Sequence, residues 1–224
     1  MKKGKPRNIH FAVLATDVVC FRVIDNKLSV LIAKAPAHSP FAGEWVLTGG
    51  MIRPEETAED AVSRLLLDKA GIKNIYTEQV YTFSAVDRDP RGRVVSIAYM
   101  ALTYIDPRDI SKASLETKWC PVLNVPKLGY DHNAILENAL AKLRSNIHNT
   151  NCILHLMPHE FTLSELQKAY ETVMGQGIDK RNFRKKILVS NVLKNTKKTR
   201  KEGVMRPAIL YTFKSPKSQP VENI

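Results

Sequence analysis

Apolar positions divide the chain into short runs and spaced stripes. Two runs, residues 11–22 and 28–34, are rich in Val, Leu and Ile and are separated by the polar Asp25-Asn26-Lys27. They predict two strands joined by a turn. A loop with two prolines, residues 35–44, leads to a short strand, Trp45-Val46-Leu47, which Gly49-Gly50 is expected to end. Over residues 57–69 the apolar positions Ala58, Ala61, Val62, Leu65 and Leu66 recur at helical spacing. Gly71 follows where a left-handed C-terminal cap belongs. Residues 80–86 and 94–105 read as strands around a polar turn, 87–93. Residues 131–147 form an amphipathic helix with Asp131 at its start and Ile135, Leu136, Ala139, Leu140 and Leu143 facing inward.

A second unit begins near residue 151. Thr162 and Glu165 have the spacing of a capping box. Leu163, Leu166, Tyr170 and Val173 make one apolar stripe behind it. Gly175-Gln176-Gly177 breaks the helix, and Asp179 can cap another that runs to about residue 193. That helix turns Phe183, Ile187 and Val192 inward and shows Arg181, Asn182, Arg184, Lys185 and Lys186 on its other face. A basic loop, 194–201, then Gly203, Arg206, Pro207 and a strand at 208–213 complete the pattern. Two helices at a tight turn followed by a basic hairpin predict a winged helix-turn-helix. The last ten residues, 215–224, read as a frayed end. The expected division is therefore 1–150 and 151–224.

Charge sharpens this division. The 224 residues carry a net charge of +12, from 34 Lys and Arg against 22 Asp and Glu. Residues 1–150 hold 20 basic and 16 acidic side chains, a net +4, and residues 151–224 hold 14 and 6, a net +8. Between Lys180 and Lys201 stand ten basic residues and no acid, interleaved with helix-patterned apolar positions. That combination favours a folded nucleic-acid-binding face over a solvated tail. The three cysteines, Cys20, Cys120 and Cys152, lie far apart with no CxxC. They read as buried thiols of a reducing cytoplasm and not as a disulfide or zinc framework. The stretch after the basic N-terminus is interrupted by Thr16 and Asp17 and reads as a strand, not a signal peptide. No run is long enough for a membrane span.

A motif lies in the first unit. Gly50, Glu56, Arg64, Gly71 and Ile72 stand at fixed spacing, preceded by Gly43-Glu44-Trp45-Val46-Leu47-Thr48-Gly49. The arrangement resembles the Nudix box and its approach strand, with Thr48 in place of proline, over about residues 8–146. The resemblance implies an α/β fold, a mixed sheet sandwiched between helices. It also implies carboxylates at the positions held here by Leu65, Asp68 and Lys69. The family's chemistry uses acids at i, i+3 and i+4 because that spacing stacks them on one helix face, where they hold divalent cations against a diphosphate. Leu65 removes one ligand, and Lys69 puts a positive charge where the metal should sit. The expectation is a catalytically silent domain that requires no cofactor and no metal.

Residues 79–99, with Asp87-Arg88-Asp89-Pro90-Arg91-Gly92-Arg93, and the stretches Phe161 to Gln167, Asp179 to Lys186 and Arg206 to Tyr211 are similar to the Nudix-related transcriptional regulators of NAD metabolism, the NrtR family. That resemblance spans nearly the whole chain. It implies a repressor whose Nudix-like domain senses a small effector, often ADP-ribose, and whose winged helix binds operator DNA as a homodimer. Lys34, Arg53, Glu56, Arg88 and Arg91 are candidates to meet a phosphorylated effector, since guanidinium forks match phosphate oxygens. Phe83 and Tyr99 either pack on a base or sugar or belong to the core. Thr162, Lys180, Arg181, Asn182, Arg184 and Lys185 are candidates for the groove-facing helix. Lys197, Lys198, Arg200, Lys201 and Arg206 are candidates for phosphate contacts from the wing. Trp45 reads as core, and His132 as structural. The competing readings are an active Nudix hydrolase of ADP-ribose or a related compound, a sugar-responsive regulator of the same architecture, and an interaction module without either role.

Overall fold

The computed structural model describes residues 11–73, 75–104, 114–201 and 207–221. Strands β1 (Val13–Ile24) and β2 (Lys27–Lys34) form an antiparallel hairpin. Asp25 and Asn26 both take positive φ, 47° and 57°, the backbone that a two-residue hairpin turn demands and that Asp and Asn tolerate. β3 (Trp45–Val46) and β4 (Thr48–Met51) follow, then helix α1 (Ala58–Ala70), β5 (Tyr76–Phe83), β6 (Val94–Leu102), β7 (Thr117–Pro121) and helix α2 (His132–Asn149). These strands make one seven-stranded mixed sheet in the path β3-β2-β1-β6-β5, with β4 paired to β1 and β7 to β2. β1 and β6 run parallel and the remaining pairs antiparallel.

Alternation along the central strands explains the sandwich. Val18, Cys20, Leu31, Tyr99 and Ala101 pack with Val62, Leu66 and Ala70 of α1. Their neighbours Val19, Phe21, Ile32, Met100 and Leu102 pack with Ile135, Leu136, Ala139 and Leu143 of α2. Because strand side chains alternate between faces, β1 and β6 must be apolar at nearly every position to bury both.

The second unit comprises β8 (Phe161–Thr162), α3 (Leu163–Met174), α4 (Lys180–Val189), β9 (Leu193–Arg200) and β10 (Ala208–Phe213), with sheet order β8-β10-β9. The capping box is present: the Thr162 hydroxyl accepts from the Glu165 amide, and the Glu165 carboxylate accepts from the Thr162 amide at 2.7 Å. Asp179 caps α4 through the Asn182 amide at 2.8 Å. Gly71 and Gly175 close α1 and α3 in the left-handed conformation.

Several expectations need correction. Gly49 and Gly50 lie inside β4, paired with Asp17 and Thr16, rather than ending a strand. The strand expected at 80–86 spans Tyr76–Phe83 and carries a bulge between Gln79 and Tyr81. β7 has no counterpart in the sequence reading; pairing with β2 creates it. α4 ends at Val189, and the basic stretch 194–200 lies in strand β9 and is not a loop. Its backbone pairs with β10 from Leu193↔Phe213 to Arg200↔Ala208, and such ladder bonds tolerate lysines on an exposed edge strand. Trp45 packs against the core as expected but is only half-buried, with the ammonium groups of Lys34 and Lys118 at 4.5 and 4.0 Å from its ring. Residues 215–221 are docked rather than frayed: the Gln219 amide donates to Asn151 Oδ1 at 2.7 Å and the Val221 amide to the Asn149 carbonyl at 2.8 Å. Gly203 and Arg206, and the ends at 1–10 and 222–224, lie outside the described residues.

The two units share a core. One apolar cluster runs from Val19 and Phe21 of β1 through Leu143 and Ile147 of α2 to Phe161, Leu166, Tyr170, Val173, Phe183 and Ile187. Arg144 of α2 donates to the carbonyl of Val173 at 3.1 Å, near the end of α3. Ile147→Ala, in the middle of this cluster, should cost about 2–5 kcal/mol. Urea denaturation followed by tryptophan fluorescence and by circular dichroism should lose both signals together. Separate transitions would show that the units unfold independently.

His155 lies at the same junction, stacked on Tyr76 at 4.3 Å. Its Nε2 is buried and has no hydrogen-bond partner. Burial lowers its pKa from 6.5 to about 4. Between those values the unfolded chain takes a proton that the folded protein refuses, so acid favours unfolding there. The melting temperature should fall as pH drops from about 6.5 toward about 4, and His155→Gln should flatten that limb. An unchanged pH profile in the variant would exclude His155 as the source.

Candidate functional site

A cavity of about 400 Å³ opens at one end of the sandwich. β1 supplies Ala15 and Asp17, β4 supplies Gly49 to Met51, and α1 supplies Arg64, Leu65 and Lys69. The turn before β6 supplies Arg88, Asp89 and Arg91, and Tyr130 and His132 come from the start of α2. Beneath it lies a network of buried charges. Arg88 grips Asp131 with two hydrogen bonds, at 2.9 and 2.7 Å, and reaches Asp17 at 3.1 Å. Ser96 donates to Asp17 at 2.7 Å, and His132 Nε2 stands 3.3 Å from its other oxygen. The Leu47 amide donates to His132 Nδ1 at 2.9 Å. That bond requires a free lone pair on Nδ1 and so leaves the imidazole proton on Nε2, facing Asp17. Burial opposes ionisation of Asp17, but His132, Ser96 and Arg88 together hold its carboxyl well below the usual carboxylate range.

This network explains two features of the motif. A Cβ on Gly49 would lie 2.1 Å from Asp17 Oδ1, so only glycine fits beside the buried carboxylate. Asp131 stands at the N-terminus of α2 but makes no side-chain cap there, because Arg88 occupies its oxygens. Tyr130, just before it, takes φ 56°. Its hydroxyl shares a 3.2 Å hydrogen bond with Ser39, and its ring packs on Phe41 at 4.4 Å. These contacts hold a bulky residue in a conformation it rarely adopts, as is common in ligand-site walls.

The motif's own side chains are arranged by charge. Arg64 forks onto Glu56, at 2.8 and 2.5 Å, and the Arg53 amide adds a third bond to that carboxylate at 2.8 Å. The Arg64 hydrogen bonds bring the Glu56 pKa down to about 2. Leu65 is buried under Gly50. The Lys69 ammonium, half-buried, donates to the Gly49 carbonyl. Burial lowers its pKa, while the charges of Asp17 and Asp68 favour its protonated form. Among the described residues no three His, Cys, Asp or Glu side chains are grouped to hold a metal ion.

Of the residues expected at an effector, Arg88 and Arg91 line the cavity. Arg88 is held in the network, and Arg91 sits at the rim, paired with Asp89 at 2.7 Å. Glu56 lies beside the cavity under Arg64, and the side chains of Lys34, Arg53, Phe83 and Tyr99 are not part of its lining. Lys34 donates to Gly43 at 2.8 Å. Tyr99 belongs to the α1-side core, where its hydroxyl donates to Glu59 at 2.7 Å. Asp17, Lys69, Tyr130 and His132 line the cavity without having been singled out as ligand contacts. A polar residue inside an apolar strand was the available signal for Asp17.

On the second unit, Lys180, Arg181, Asn182, Lys185 and Lys186 project from α4 into solvent. Arg184 bends back to Ser164 at 3.3 Å. Thr162 is buried at the start of α3, its hydroxyl used by the cap. On the wing, Lys198 pairs with Glu160 at 2.7 Å and Arg200 with Glu165, while Lys197 and Lys201 are exposed. Arg206 lies outside the described residues.

A sandwich with a charged cavity, joined through a shared core to a winged helix with a basic first face, defines a two-part ligand-sensing, DNA-binding architecture. Comparisons agree with each part: the Nudix domain pattern matches residues 13–140, and the NrtR DNA-binding winged helix domain pattern matches residues 153–213. The chain is 32% identical over 206 residues to a protein of Acinetobacter baylyi named ADPR responsive transcriptional repressor NtrR, covering 90% of this chain and 82% of that one. It superposes on Shewanella oneidensis NrtR complexed with a 27mer DNA with a TM-score of 0.77 and 33% identity, over 90% of this chain and 93% of the other. The Nudix domain of that protein complexed with ADP ribose matches with a TM-score of 0.54 and 35% identity, over 62% of this chain and 94% of the other. The chain belongs to the NrtR family of Nudix-related transcriptional regulators.

No helix among the described residues is long and apolar enough to cross a membrane. The three cysteines are all buried free thiols. A Gly49→Ala substitution should cost about 3 kcal/mol or more, by overpacking and by pushing Asp17 off Arg88. Urea denaturation of the variant measures this, and wild-type stability would show that the Asp17 carboxylate has room to move.

Proposed function

We propose that the chain is a cytoplasmic transcriptional repressor that binds operator DNA as a homodimer and releases it when ADP-ribose enters the cavity. The observation that carries this reading is the course of α2. Its first residues, Asp131 and His132, belong to the network under the cavity. Its last turns belong to the core of the winged unit. A ligand that prefers one position of the network would therefore bias the placement of the winged helix, and only that difference in affinity can shift DNA binding. The working division is a sensor unit of residues 1–150 and a DNA-binding unit of residues 151–224.

On DNA, Arg181, Asn182 and Lys185 reach base edges from the first turns of α4. Arginine forks onto guanine and asparagine onto adenine, each worth about 1–3 kcal/mol of discrimination. Arg184, resting on Ser164, positions the helix, and Lys180 and Lys201 meet phosphates. Lys198 and Arg200 exchange Glu160 and Glu165 for phosphate oxygens, and Arg206 completes the wing.

The sensor binds without hydrolysing. A divalent cation does not fit the motif's side chains: Glu56 is spent on Arg64, Leu65 offers no ligand, and the Lys69 ammonium faces the place where a cation would need acids. Arg91 and the cavity floor hold the effector's phosphates, and Arg88 holds the network that shapes that floor. Sensing of a sugar phosphate in the same cavity is the second reading, since a 400 Å³ space and a cationic rim suit either.

The test is a fluorescence-anisotropy titration of operator DNA from upstream of the protein's own gene, with and without ADP-ribose. Tight binding that ADP-ribose weakens supports the reading; binding that ignores ADP-ribose sends the effector search to sugar phosphates. Arg181→Ala should lose about 1–3 kcal/mol of base discrimination. Lys198→Ala should weaken all DNA alike and lower the salt slope by about 1. If neither substitution changes binding, the DNA surface lies elsewhere.

A further inference from the structure

Each arginine around the cavity is ion-paired to a carboxylate, and Lys69 is not. Arg64 has Glu56, Arg88 has Asp17 and Asp131, and Arg91 has Asp89. Lys69 has a neutral partner, the Gly49 carbonyl. No carboxylate among the described residues lies within ion-pair distance of it. An ammonium carries three N–H donors, and one is used. Its Nζ lies 3.6 Å from where a Gly50 Cβ would be, so the absence of a side chain there leaves it open to the cavity. Leu65, one turn earlier on α1, walls its other side with hydrocarbon.

Resting on the ADP-ribose reading above, we propose that the Lys69 ammonium is the resident cation of this cavity and binds the effector's diphosphate directly, in place of a divalent metal. It occupies the position at which the resemblance to the Nudix box implies a metal-binding acid, and it is bonded to the Gly49 carbonyl of the glycine pair. An ammonium supplies charge and hydrogen bonds to phosphate oxygens. Unlike a metal ion, it cannot coordinate a water and lower its pKa. The same substitution that holds the diphosphate therefore leaves it uncut, which a sensor requires, since its signal must persist while bound. The carboxylates of Glu56, Asp17, Asp131 and Asp89 are consistent with this: each is hydrogen-bonded to an arginine, so its charge is compensated before a ligand arrives.

The test is calorimetric titration of the full-length chain with ADP-ribose, in EDTA and again in excess magnesium. Wild type should bind equally in both. Lys69→Gln should bind about tenfold or more weakly in both, and Lys69→Arg, which keeps the charge, should retain most of the affinity. Binding by wild type that needs magnesium overturns the proposal. So does wild-type affinity in Lys69→Gln. Melting temperatures of both variants establish that they are folded, and the wild-type comparison stands even if they are not. If wild type binds no ADP-ribose at all, the effector reading fails, and inorganic pyrophosphate then tests Lys69 separately. Pyrophosphate binding that Lys69→Gln loses sustains the inference, and no pyrophosphate binding by wild type ends it.

Discussion

The guanidinium of Arg88 lies between two carboxylates, Asp17 and Asp131, that are far apart in sequence and belong to different layers of the fold. Removing three charges from water is costly, and such clusters persist only where geometry and additional hydrogen bonds compensate. Ser96 and His132 provide those bonds at Asp17. Much else follows from the cluster. It demands a side-chain-free strand at Gly49 and orients His132 against the Leu47 amide. It draws Asp131 away from capping its own helix and brings the turn before β6 down onto the start of α2. The cavity is the space left above this arrangement.

α2 carries the consequence away from the site. It is eighteen residues long, about 27 Å at 1.5 Å per residue. A helix of that length transmits displacement of one end to the other when both ends are held. One end is held by charge and the other by apolar packing with α3 and the 3-10 turn Cys152–Leu156. The docked segment 215–221 reinforces the second attachment by pairing with residues 149–151. The two units are thus two chemistries around one shared core rather than two beads on a linker.

Charge is managed differently on the two units. At the cavity, acids are bonded to arginines, while Lys69 is bonded to a backbone carbonyl. On the winged unit, the α4 cations are exposed with few acidic neighbours, whereas wing residues Lys198 and Arg200 are held by Glu160 and Glu165. Glu165 serves both the α3 cap and the wing, so it ties the edge strand to the helix that supports α4.

The periodic features of this protein were legible in its sequence. The apolar runs of β1 and β2, the stripes on α1, α2 and α3, the caps at Thr162 and Asp179, and the glycine stops at Gly71 and Gly175 depend on neighbours within a few positions, and all formed. The basic face of α4 was legible for the same reason. Features set by partners distant in sequence were not. β7 exists because β2 offers it a ladder, β9 is a strand because β10 pairs with it, and Gly49-Gly50 reads as a stop until Asp17 is placed against it. Arg88 and Arg91 have similar local settings, yet one is buried between two acids and the other stands at the rim. The sequence by itself determined the helices with their caps, the central strands, the two-part plan and the presence of Leu65 and Lys69 in the motif. Only the tertiary structure decided which charges are spent on one another and which reach the cavity wall without an ion pair, because an ion pair depends on separation in space and burial, and neither is a property of spacing along the chain.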